Sequence, residues 1–210
     1  MNNIKIKVCG MCHSQNISEL AELRPDYMGF IFFDKSKRNV IGKLNLADLQ
    51  DLPPSIKKVG VFVDATFEEI TLQVNHYSLD LVQLHGKETP ELCRKLKKTG
   101  TKIIKAFSVD KTFDFDVTLP YKTVCDYFLF DTKGKEAGGN GFTFDWSILA
   151  HYDNEIPFFL SGGLDETNIE EVKKLTHLNI HAVDVNSKFE LQPALKDIEL
   201  LKKSVFKVLK

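Results

Sequence analysis

The 210-residue chain lacks a charge of one sign: 28 basic residues stand against 29 acidic ones, a formal charge of -1. Nucleic acid and anionic membranes are held by an excess of Lys and Arg, so neither is expected as a partner. The local basic runs at 94–98 and 196–210 read as solvated faces of amphipathic helices. No apolar run approaches the roughly 18 residues of a membrane span, and no leader-like segment is evident. Cysteine is scarce. Cys9, Cys12, Cys93 and Cys125 contain one C-x-x-C and no second pair, which gives no grounds to expect a metal. Free thiols and a cytoplasmic location are expected. No G-x-G-x-x-G follows the first strand, which argues against a dinucleotide site there.

What remains is an ordinary globular composition, 43% hydrophobic and 27% charged, of a length that suits one domain over residues 1–210. Short apolar strands alternate with helical patterns throughout. Strands are expected at 4–8, 26–33, 57–63, 79–84, 103–107, 126–130, 157–160 and 180–185. Helices are expected at 14–24, 45–52, 67–77, 89–98 and 168–175, with a closing helix at 195–208. Residues 108–122 hold Pro120 and several Asp residues and do not read as an ordinary helix. Eight strand-plus-crossover units, about 26 residues each, predict an α/β fold of the closed (β/α)8 TIM-barrel type, compact beside the usual length of about 250. An open doubly wound sheet is the competing architecture.

In a barrel, the polar residues at the strand ends converge on one face. Cys9, Asp34, Arg38, Asp64, His85, Asp131, Ser161-Gly162-Gly163 and Asn186-Ser187 all occupy such positions. Residues 126–146 are the most distinctive stretch: an aromatic strand ends on Asp131, and Gly138-Gly139-Asn140-Gly141 follows, able to turn tightly or approach a ligand. The turns after strands seven and eight stand where such barrels hold phosphate on backbone N–H groups, so a phosphorylated small molecule is the expected ligand. A loop-capping role for Asp131 and an inert buried thiol at Cys9 are the plain alternatives.

These motifs, taken in order, resemble the phosphoribosylanthranilate isomerase family of tryptophan synthesis over almost the full length. The match runs through Lys7-Val8-Cys9-Gly10-Met11, Gly29-Phe30-Ile31-Phe32 with Ser36-Lys37-Arg38, Gly60-Val61-Phe62-Val63 and Val82-Gln83-Leu84-His85-Gly86. It continues through Phe130-Asp131-Thr132, Gly138-Gly139-Asn140-Gly141, Leu160-Ser161-Gly162-Gly163-Leu164 and Asp184-Val185-Asn186-Ser187. The resemblance implies a cofactor-free Amadori rearrangement, with Cys9 as general base and Asp131 as general acid. It implies that Arg38 holds the anthranilate carboxylate, that the turns after strands seven and eight, with Gly162, Gly163, Asn186 and Ser187, grip the phosphate, and that Gly139 binds substrate. His85 and Asp184 are further candidate substrate contacts, each with a purely structural alternative. A modest local shift would bring a Cys9 thiolate within reach of neutral pH.

The chain departs from the family pattern at Lys37, Asn140, Lys188 and Ala194; at Lys188 and Ala194 the family usually has glycine. A non-glycine residue at positive φ there would cost roughly 1 kcal/mol, whereas the Lys188 ammonium could instead lie near the phosphate. An indoleglycerol phosphate synthase-type barrel would require catalytic lysines, a strand-end glutamate and an N-terminal helical extension. A non-catalytic sugar-phosphate binder would be expected to lack the acid or the base. Neither a monomer nor a homodimer is favoured by the sequence.

Overall fold

The computed structural model describes residues 4–132 and 146–210. The loop containing Gly138, Gly139, Asn140 and Gly141 lies outside the described residues.

Eight parallel strands close into a barrel in sequence order. They are β1 (Lys5–Cys9), β2 (Tyr27–Phe32), β3 (Lys57–Phe62), β4 (Leu81–Leu84), β5 (Lys102–Val109), β6 (Tyr127–Thr132), β7 (Phe158–Ser161) and β8 (Ile180–Val185). Pairing of β1 with β8, in which Lys7 meets Asp184, completes the circle. The open-sheet alternative is thereby excluded. Apolar residues on both faces of the pleat explain the architecture. Outward residues such as Val8, Phe30, Val82 and Phe128 join the large core beneath the helices. Inward residues Tyr27, Val59, Leu81, Ile104, Leu129 and Phe159 form a second core inside the barrel. That inner plug fills the barrel interior, and polar side chains line the cavity described below.

The crossovers are unequal. Helices α1 (Ser14–Glu22), α2 (Leu46–Gln50), α3 (Phe67–Tyr77) and α4 (Pro90–Lys97) follow the first four strands. Thr66 opens α3 with a reciprocal capping box to Glu69, and Thr89 caps α4 ahead of Pro90. The fifth crossover is a 3₁₀ segment, Phe115–Tyr121, as its Pro120 and aspartates suggest. Phe115 compensates by packing edge-on against Phe130.

Two sequence-derived helices require correction. The seventh crossover is a 3₁₀ segment, Ile169–Lys174, and not an α-helix. Asn168 does not cap it; its side chain turns back to bind the Asp165 N–H and the Gly163 carbonyl. The closing helix begins at Ile198, not Leu195. Leu195–Lys196 instead pairs with Glu190–Gln192 as a small antiparallel hairpin. The Lys196 N–H and carbonyl are both taken by the Asn16 side chain, so they cannot enter a helix, and Asp197 caps the helix that follows. Among the described residues, no helix is long and apolar enough to cross a membrane.

Candidate active site

A cavity of about 220 Å³ opens at the C-terminal rim of the barrel. Cys9, His85, Asp131, Gly162, Gly163, Asp184, Asn186 and Ser187, all singled out in the sequence, line it together with Ser161. Strand geometry brings them there. Cys9 points inward two residues after Lys7 on β1, and its register partner Gly29 makes room for it. A Cβ on Gly29 would come within 2.7 Å of the Cys9 sulfur. Asp131, next to last in β6, is in register with Ser161 on β7, which is in register with Asp184 on β8. Gly162 and Gly163 adopt φ of 84° and 65°, so the turn needs residues without a Cβ.

Beneath the thiol lies an ion pair that sequence reasoning overlooked. Lys7 Nζ is 2.8 Å from Asp184 Oδ1, with side-chain exposures of 0% and 5%. Burial pushes the Cys9 thiol up, Lys7 draws it back, and the rise remains. This reverses the expected downward shift, because a closed barrel disfavours a buried anion. Burial would lower Lys7, but the Asp184 carboxylate prevails and holds it above its usual value.

Arg38 does not line the cavity. Its Nε lies 2.8 and 3.1 Å from the two Glu190 oxygens, and its Nη2 lies 2.6 Å from Oε2. Lys196 Nζ approaches Glu190 Oε1 at 2.5 Å and Asn186 Oδ1 at 2.7 Å. Burial alone would raise the Glu190 carboxyl, but its bonds to Arg38 and Lys196 prevail and hold it below the usual range. The hairpin therefore aims one edge of the guanidinium and leaves Nη1 without a hydrogen bond among the described residues. Asp34 and Asp64 are strand-end residues with local duties: Asp34 accepts from Asn39, and Asp64 accepts from the Lys87 N–H.

Lys188 also lines the cavity and is absent from the residues with positive φ, so it carries no left-handed cost. Ala194 does stand in that region, at φ 71°. All four cysteines are free and buried. Among the described residues, no group of three or more His, Cys, Asp or Glu is placed to hold a metal.

Lys7, Gln83, Glu190 and Lys196 are the site residues that sequence reasoning passed over. The signal for Lys7 and Gln83 was alternation: each shares its strand face with a chosen neighbour two residues on, Cys9 or His85. Glu190 and Lys196 had no such signal, because their hairpin read as loop and helix.

Residues 6–207 match the family model described as N-(5'phosphoribosyl)anthranilate (PRA) isomerase. The N-(5'-phosphoribosyl)anthranilate isomerase of Parabacteroides distasonis is 46% identical over 207 residues, covering 97% of this chain and 93% of that protein. The corresponding protein of Phocaeicola vulgatus is 44% identical over 192 residues, 91% of each chain. Among solved structures, the phosphoribosyl anthranilate isomerase of Thermotoga maritima superposes with a TM-score of 0.83 at 35% identity, covering 96% of this chain and 97% of that one. A phosphoribosyl anthranilate isomerase in complex with reduced 1-(o-carboxyphenylamino)-1-deoxyribulose 5-phosphate gives 0.82 at 32% identity, covering 98% of both chains.

Proposed function

The chain belongs to the phosphoribosylanthranilate isomerase family, and we propose that Cys9 and Asp131 are the base and acid of its reaction. The enzyme converts N-(5'-phosphoribosyl)anthranilate, an aminoaldose, into 1-(2-carboxyphenylamino)-1-deoxyribulose 5-phosphate, the aminoketose. Substrate and product are isomers, so the protons given and taken cancel and no external oxidant or reductant is needed.

Asp131 delivers a proton to the ribose ring oxygen, the C1–O bond breaks, and the nitrogen lone pair forms the iminium. The iminium acidifies the proton on C2. Cys9, as the thiolate, removes that proton to give the enolamine, which becomes the ketone as C1 gains a proton and the C2 hydroxyl loses one. Only the thiolate can accept the C2 proton, and the Lys7 ammonium beneath it favours that form. Arg38, aimed by Glu190, takes the anthranilate carboxylate on its free edge. Gly162, Gly163, Asn186 and Ser187 hold the phosphate, Lys188 adds a positive charge, and Gly139, His85 and Asp184 complete the substrate site. The whole chain, 1–210, works as one cytoplasmic barrel domain. It acts as a monomer or a homodimer, which sedimentation separates at 23.9 kDa or twice that mass.

The observation that carries this reading is that Cys9 and Asp131 line the same rim cavity as the two glycine-rich and Asn-Ser turns. Its test is turnover of freshly prepared substrate, followed by loss of anthranilate fluorescence and identification of the aminoketose. Cys9→Ser and Asp131→Asn are expected to fold normally and to lose about 10²–10⁴-fold in kcat. Native-like turnover in either variant would remove that residue from the mechanism.

A further inference from the structure

The proton transfers described above give no part to Gln83, a buried polar side chain in the rim cavity. It stands on β4 and is 1% exposed. Its Nε2 lies 2.8 Å from His85 Nδ1, and His85 Nε2 lies 3.4 Å from Asp131 Oδ2. Gln83 Oε1 is buried with no hydrogen-bond partner among the described residues.

The direction of this chain follows from its donors. An amide nitrogen only donates, so Nδ1 of His85 accepts, and the neutral ring carries its proton on Nε2, toward Asp131. We propose that Gln83 is a positioning residue that fixes the Nε2–H tautomer of His85. That N–H holds Asp131 Oδ2 and leaves Oδ1 to carry the proton bound for the ribose oxygen. The inference rests on the reading of Asp131 as general acid.

Three physical points support it. A ring nitrogen's protonation is set by the hydrogen bond its partner nitrogen makes. The same N–H serves the carboxylate left after proton transfer, so the contact strengthens as the transition state forms, and a 3.4 Å separation before substrate binds is compatible with that. Finally, an unpartnered buried oxygen is a liability for folding that a methionine of similar length would not carry. Packing alone gives no reason for glutamine here.

The test uses the full chain with ¹⁵N-labelled histidine at about pH 8, where an ordinary imidazole is neutral. Long-range proton–nitrogen spectra report the tautomer, and His85→Gln identifies the signal. The native protein is expected to show His85 as Nε2–H. Gln83→Met is expected to melt no lower than native, to lose the single tautomer, and to lose about 10–100-fold in kcat, with KM nearly unchanged. Should that variant fail to fold, Gln83→Glu asks the same question: its carboxylate accepts from Nδ1–H and reverses the tautomer, with a lower kcat. An Nδ1–H form in the native protein, a native kcat in the folded variant, or a change confined to KM would overturn the proposal. Asp131→Asn, run alongside, separates the two readings. If it retains native turnover, the acid assignment fails; if it is inactive while Gln83→Met turns over normally, only the positioning role fails.

Discussion

At the scale of single residues, the site is governed by what a closed barrel does to charge. Lys7 and Asp184 face each other across the β1–β8 seam, both withdrawn from water. Such a pair adds little net stability, but breaking it strands the other charge. Lys7→Met is therefore expected to lose about 3–5 kcal/mol of folding stability. Adding Asp184→Asn should recover most of that loss. Equilibrium urea unfolding of the single and double variants measures both, and a single variant as stable as native would show that Asp184 finds another partner or a proton. The position of Cys9 in the same interior explains why its thiol is raised when sequence reasoning expected the reverse: burial depends on the closed fold, whereas the residue's ordinary titration range does not.

At the scale of elements, the hairpin of Glu190–Gln192 and Leu195–Lys196 is the unit that aims Arg38. Its turn includes Ala194 at φ 71°, where an L side chain is strained. The Ala194 N–H donates to Glu190 Oε1 at 3.2 Å, so the turn and the arginine's partner are coupled. Ala194→Gly is expected to raise stability by up to about 1 kcal/mol, the cost of a left-handed non-glycine residue. A thermal melt with KM measured alongside checks it; a lower midpoint would mean that unfolded-state entropy outweighs the relieved strain. The 3₁₀ crossovers after β5 and β7 likewise follow from local chemistry, Pro120 in one and the inward-turned Asn168 in the other.

At the scale of the whole molecule, pH acts through one group near the start of β8 and another beyond its end. His181 packs against Tyr27 and Tyr127, and burial, aided by the Lys5 charge, lowers its pKa from 6.5 to about 4. Between those values the unfolded chain binds a proton that the fold refuses, so stability falls as pH drops from 6.5 toward 4. Glu190 works in a lower window. Its depressed carboxyl contributes stability that is present above the ordinary value of 4.5 and is lost as pH falls through the folded-state value. Urea midpoints against pH are expected to decline in acid, and His181→Gln should flatten the slope between pH 6.5 and 4. An unchanged slope in that variant would mean that other groups supply the protons.

The sequence by itself determined the barrel and much of its rim. Alternating apolar strands and crossovers at a regular interval specify a parallel sheet, and eight units specify its closure, because covered strands must be apolar on both faces. Position at a strand's end then brought Cys9, His85, Asp131, Gly162, Gly163, Asn186 and Ser187 to one cavity; Asp184, within β8, joined them through the family motif. Tertiary structure alone decided the partners. Lys7 meets Asp184 only because β1 closes on β8, and Arg38 meets Glu190 only because a hairpin 152 residues away folds over it. Local pattern reports which face a residue occupies; which charges share that face, and how dry it is, depends on contacts between residues far apart in the chain.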